Sequence, residues 1–148
     1  GSGIAPIRQM RDAGISVGLG VDGSASNDSG NLILEARQAM LLQRVSQGAD
    51  AMSSREALEI ATRGGADVLG RPECGRLTVG KRADIAIWDI SQLESAGSWD
   101  PTAILLAGPN KVKHLLVDGK LIVEDGQLLT TDLAKLISLQ NKLAKALS

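Results

Sequence analysis

An α/β fold is what this sequence predicts, and three observations carry the expectation. Residues 4–70 alternate between helical and strand-like apolar patterns. Within them a β-prone run, Ile15-Ser16-Val17-Gly18-Leu19-Gly20-Val21, ends in Asp22 and then breaks into the small polar residues of Gly23-Ser24-Ala25-Ser26-Asn27-Asp28. Beyond Pro72 the pattern shifts toward alternation, with Asp-Gly turn pairs between apolar stretches. A carboxylate closing a strand, followed by a loop of Gly, Ser and Asn, is how an α/β barrel presents a catalytic group, because its chemistry sits at the carboxyl ends of parallel strands. Asp22-Gly23 is equally an ordinary strand-ending turn, and these residues alone leave both readings open.

The elements follow in order. Ile4 to Asp12 has helical spacing, and Ile15 to Val21 is expected to be a strand with Asp22 at its carboxyl end, the side chain facing the barrel mouth. Asn31 to Gln47 is a helix with Ile33, Ala36 and Met40 on one face. Ser53-Ser54-Arg55-Glu56 has capping-box spacing, and Leu58, Ala61, Gly65, Val68 and Leu69 then recur at helical period. Gly64-Gly65 inside that helix is costly, at roughly 1 kcal/mol per Gly against Ala, so the pair marks either a close approach by a neighbouring element or a broken helix. Arg82 to Asp89 alternates in part like a strand. Val112 to Val117 and Leu121 to Val123 should pair antiparallel across Asp118-Gly119, and with the Ile85 strand form a sheet separate from the Val17 strand. Asp125-Gly126 turns the chain again, and a final helix carries Leu133, Leu136, Ile137, Leu143, Ala144 and Leu147. The change of period places an internal boundary at Gly70 to Gly75, dividing 1–70 from 71–148.

Composition excludes several classes. A net charge of −1, with no basic stripe and only two aromatic residues, gives neither the electrostatic footprint nor the stacking platforms of nucleic-acid binding. No apolar run approaches the ~20 residues that span a bilayer. The single Cys74 has no disulfide partner within the chain, which fits a reduced, cytoplasmic setting. The opening Gly1-Ser2-Gly3, without an initiator Met or targeting segment, leads us to expect a piece of a longer protein.

Three constellations could carry chemistry. Gly18-Leu19-Gly20-Val21-Asp22-Gly23 is a literal G-x-G-x-x-G, but the next helix begins only near Asn31 and no second strand ending in an acid follows about 20 residues on. His114 is the only histidine, and a zinc or imidazole site draws on several ligands, so it reads as a half-exposed strand residue. Cys74 has no neighbouring histidine to activate it and reads as a small buried side chain. The third constellation is Asp22 with its loop.

Here the sequence resembles a known family. Val21 to Leu32, Glu35-Ala36-Arg37-Gln38, Ala61-Thr62-Arg63-Gly64-Gly65-Ala66 and Gly75-Arg76-Leu77-Thr78-Val79-Gly80-Lys81-Arg82-Ala83-Asp84 resemble the carboxyl-terminal part of the amidohydrolase superfamily, in the purine and triazine deaminase branch typified by 8-oxoguanine deaminase. The resemblance implies that Asp22 closes the eighth strand of a metal-dependent (β/α)₈ barrel and contacts a divalent metal, zinc by expectation. It implies that Asp22 takes the proton from the attacking water, then helps deliver protons to departing ammonia. The loop would shape the pocket floor, making Ser24, Asn27 and Asp28 candidates for substrate contact or for bracing the backbone. Residues 71–148 would supply part of a small β-sandwich and the C-terminal helix.

The chain also departs from the family pattern. Family members carry metal on a His-x-His pair and two further histidines, and none of these can be present where the one histidine is His114. The resemblance therefore implies the last quarter to third of a longer hydrolase of non-peptide carbon–nitrogen bonds, one that deaminates a small heterocycle such as 8-oxoguanine and forms a homo-oligomer as a whole. The isolated piece is expected to be inactive. A triazine-type amidohydrolase or chlorohydrolase is the alternative within that class; a non-catalytic fragment that kept only the sandwich and part of the barrel is the alternative outside it.

Overall fold

The computed structural model describes residues 3–23, 25–27, 29–108 and 110–147. They gather into two compact units, Gly1–Arg82 with Ile90–Pro109, and Ala83–Asp89 with Asn110–Ser148. The units thus part after Arg82 rather than at 70/71, and 90–109 returns to the first. The shift of apolar period near Pro72 marks a change of local pattern, while 72–82 and 90–109 group with the helices.

The first unit is helical. α1 (Ile7–Asp12) starts later than its apolar spacing suggests because Pro6 stands at the N-cap, and a residue before proline, here Ala5, is pushed out of the helical region. α1 ends in a Schellman arrangement: Ile15 N–H donates to the Met10 carbonyl at 2.9 Å and Gly14 N–H to Arg11 at 2.9 Å, with Gly14 at φ 75°. α2 (Leu32–Gln47) is capped by the Asn31 side chain, which accepts from Ile33 N at 3.0 Å. α3 (Ser54–Glu59) carries the full capping box expected of Ser53 and Glu56. It runs on through a π-helical turn, Ile60–Gly64, into α4 (Gly65–Val68). α5 (Pro101–Ala107) is announced by Asp100 at the N-cap and proline at the first helical position. The Thr102 hydroxyl and amide donate to Asp100 at 2.8 and 2.9 Å and hold its carboxyl below the usual range.

These helices share one core. Ile7, Ala36, Met40, Met52, Ala57, Ile60 and Leu106 are buried together, bringing one face from each of α1, α2, α3 and α5. The small residues let the helices approach closely, and polar ties fix the seams. Arg37 donates to the Leu106 carbonyl at 2.9 Å, and the Ser54 and Thr102 hydroxyls meet at 2.8 Å. Gln43, fully buried, donates to the Ala5 carbonyl at 2.9 Å and accepts from Arg8 N at 3.2 Å.

The expected strand at Ile15–Val21 is the main correction. The segment runs past the core with Val17 and Leu19 packed against it, but it has no regular strand structure, and the described residues of this unit contain no strand with which it could pair. A strand is a pairing relationship, so a β-prone run without a partner cannot become one.

The second unit is an antiparallel meander, β1 (Ile85–Asp89), β2 (Lys111–Val117), β3 (Lys120–Glu124) and β4 (Gln127–Leu128), in that spatial order. The hairpin falls where the sequence places it, with Val117 opposite Lys120 across Asp118-Gly119. Both turn residues have positive φ, 49° and 77°, and Asp125-Gly126 repeats this at 44° and 77°. That is the type I′ condition which makes Asp-Gly a hairpin signal. The Asp84 carboxylate, just before β1, accepts from Asp118 N at 2.7 Å and clasps the hairpin turn. The register slips by one residue between Ile87 and Trp88 and again between Leu115 and Leu116. α6 (Leu133–Leu147) closes the chain as an amphipathic helix with none of its side chains buried.

Candidate active site

Asp22 sits at the far end of the segment that α1 launches and the helical core supports. Its carboxylate is exposed, and Oδ1 accepts from Gly23 N at 2.7 Å. Its backbone is left-handed, φ 60°, a conformation uncommon outside glycine that Asp and Asn tolerate best. The chain therefore turns sharply at this residue and leaves the carboxylate beyond the packed part of the segment.

The loop that follows is held by its own polar groups. Ser26 N and Asn27 N both donate to the Gly23 carbonyl, at 2.9 and 3.0 Å. Asn27, half-buried, accepts from Ser29 N at 3.0 Å and donates to Glu35 Oε1 at 2.6 Å, tying the loop to the first turn of α2. Of the three candidate loop residues, Asn27 is thus engaged in bracing the backbone; Ser24 and Asp28 lie outside the described residues.

The other end of the segment borders a cavity of about 240 Å³ lined by Arg11, Ser16, Val17, Glu59, Arg63 and Asp67 among others. Asp22 is not part of it. The charges that line the cavity are all paired: Arg63 meets Glu59 at 2.7 Å, Arg11 meets Glu59 at 3.4 Å and Glu56 at 3.5 Å, and Asp67 meets Arg76 at 3.8 Å. This network belongs to the packing of α1 on α3.

Sequence reasoning missed the partner of Gly64-Gly65. The glycines lie against the backbone of Val17 and Gly18, and the signal was present in Gly18, a glycine within the apolar run. His114, in β2, accepts from Asp125 N at 3.4 Å, with Asp125 Oδ1 3.7 Å from Nε2, so it serves the turn after β3. Cys74 is half-buried. As a lone carboxylate Asp22 has the donor chemistry of one ligand to a divalent ion, and among the described residues no three His, Cys, Asp or Glu side chains are grouped to hold one. No helix of the described residues is long and apolar enough to cross a membrane.

Comparison with known proteins places this chain in a family. Residues 1–122 match the amidohydrolase family model, and the chain belongs to that family. It is 46% identical over 147 residues to 8-oxoguanine deaminase of Pseudomonas aeruginosa, covering 99% of this chain and 33% of that protein. An atrazine chlorohydrolase from Arthrobacter aurescens, solved in complex with zinc, is similar at TM-score 0.88 and 39% identity over 95% of this chain and 32% of its own. An adenosine deaminase from Xanthomonas campestris with bound zinc reaches TM-score 0.91 at 30% identity, over 98% of this chain and 34% of its own. The chain spans about a third of the length of these relatives.

Proposed function

We propose that this chain is the carboxyl-terminal third of a metal-dependent deaminase, that Asp22 is its proton-transfer group, and that an aminated heterocycle of the 8-oxoguanine type is the substrate. The observation that carries the reading is the exposed, left-handed Asp22 at the end of a core-supported segment, in a chain 46% identical to 8-oxoguanine deaminase.

In this reading residues 15–21 are the eighth strand of a (β/α)₈ barrel, completed by strands elsewhere in the whole enzyme, and the β1–β4 meander is part of a small sandwich. The remaining metal ligands would come from outside this chain. A divalent ion held there in part by Asp22, zinc in the structures named above, would make hydroxide available near neutral pH. The Asp22 carboxylate accepts the proton of the attacking water and passes it to the departing amine, so that ammonia rather than amide ion leaves. Ser24 and Asp28 remain candidates for substrate contact. A single cysteine, Cys74, suits a reducing cytoplasm, and the whole enzyme is expected to be a homo-oligomer.

The test is Asp22→Asn in the full-length enzyme, reading ammonia release from 8-oxoguanine and isocytosine with metal content determined in parallel. Turnover should fall about 10² to 10⁴-fold, the span of positioned acid–base groups, while most metal is retained. Near wild-type turnover removes Asp22 from the mechanism. Faster attack on a triazine substituent than on either amine would move the substrate to the chlorohydrolase class.

A further inference from the structure

At Gly64 and Gly65 the helix Ser54–Val68 meets the segment leading to Asp22 backbone to backbone. A methyl group on Gly64 would lie 2.2 Å from the Val17 carbonyl oxygen; one on Gly18 would lie 2.9 Å from Gly65 Cα and 3.2 Å from Gly65 N. Ordinary van der Waals contact needs 3.4 Å or more. The obstructing atoms are main chain, so no rotamer change relieves the clash. Gly65, by contrast, has nothing within 4 Å of the position its methyl would take. Two adjacent glycines on one helix therefore have opposite tolerances. The close approach falls on the π-helical turn Ile60–Gly64, where an extra residue widens the helix. Buried Ile60 anchors that turn in the core against which Val17 and Leu19 also pack.

We propose that Gly64 and Gly18 form a side-chain-free seat that fixes the height of the Asp22 segment over the helix, making Gly64 a positioning residue for the Asp22 carboxylate. The proposal rests on the reading of Asp22 given above. Restoring van der Waals distance at Gly64 requires the segment to rise by about 1 Å, and a displacement of that size at a reacting group can lower turnover by about 10²-fold. Asp22 is four residues beyond Gly18, roughly 13 Å of extended chain, and the intervening residues offer no side chain longer than Leu19 or Val21 to absorb the shift.

The experiment compares Gly64→Ala, Gly18→Ala, Gly65→Ala and Asp22→Asn in the full-length enzyme. It measures kcat and KM for ammonia release, and amide hydrogen exchange over residues 15–22 in metal-free protein. A core variant, Met52→Val, reports what loss of stability alone does. Gly64→Ala and Gly18→Ala should lower kcat by tenfold or more with KM within threefold, and speed exchange over 15–22. Gly65→Ala and Met52→Val should keep kcat within threefold of wild type. If Gly64→Ala does not fold, Gly18→Ala decides. Inactive Asp22→Asn together with Gly18→Ala and Gly64→Ala at wild-type kcat overturns the seat and leaves Asp22 standing. Active Asp22→Asn overturns both.

Discussion

The Asn27 amide donates to Glu35 Oε1 at 2.6 Å, so the loop beyond Asp22 is tied by one side chain to the amino-terminal turn of α2. Asn27→Asp replaces that bond with two facing carboxylates. It should destabilise the full-length enzyme by about 1 kcal/mol at pH 7.5. Melting temperatures of the two proteins test this, and equal values would show that the loop does not depend on the bond.

Gln43 is the polar centre of the helical core. Its carboxamide serves Ala5 and Arg8 in and before α1, and its Oε1 also accepts from Gln47 at 2.8 Å. Gln43→Leu matches its volume but leaves the Ala5 carbonyl and the Arg8 amide without that partner. We expect a loss of about 2 kcal/mol, the cost of a buried polar group left unsatisfied, read as a lower denaturant midpoint. An unchanged midpoint would mean that α1 re-seats without it.

Glu56 gives the helix Ser54–Val68 an acid-sensitive start. Its carboxyl is held below the ordinary value of 4.5 first by the Ser53 amide, then by the Ser53 hydroxyl and by Arg11, against a partial desolvation that acts the other way. A depressed carboxylate stabilises the fold fully above its unfolded value and loses that contribution as pH falls through the folded one. The stability difference between wild type and Glu56→Gln should therefore be flat from pH 6 to 8 and narrow below about pH 4.5. A difference that instead grew on acidification would contradict the assignment.

Asp84 clasps the hairpin by accepting from Asp118 N at 2.7 Å. Asp84→Ala removes the acceptor and should cost about 1 to 2 kcal/mol, whereas Asp84→Asn keeps an oxygen in place and should cost less. Equal losses in the two variants, by thermal unfolding, would assign the effect to something other than the hydrogen bond.

What the sequence made legible was local chemistry. The Ser53–Glu56 box and the Asp118-Gly119 turn each follow from a few adjacent residues whose backbone demands are strong, and both are present; Gly64-Gly65 left a close approach and a broken helix open, and the close approach is what the structure has. α5 could have been read as well, from Asp100-Pro101-Thr102, a capping residue followed by proline. The absence of a strand at Ile15–Val21 could not, because strand structure depends on a partner that no local pattern supplies. Likewise the division after Arg82 depends on which packed surface 72–82 and 90–109 join, and composition does not record that. At the site, Asp22 and Asn27 were visible as residue types; the left-handed turn at the one and the Glu35 bond of the other are geometric facts.

The backbone contact at Gly64 also bears on how such an enzyme could be redesigned. Most core positions offer a graded choice of side-chain volume, so a library can sample fits and partial fits. Position 64 offers no gradation, since the smallest possible addition already overlaps the Val17 carbonyl. A search for new substrate preference gains nothing by randomising positions 18 and 64. Diversity belongs in 23–31, where side-chain bonds such as that of Asn27 set the loop's shape and can be exchanged one at a time.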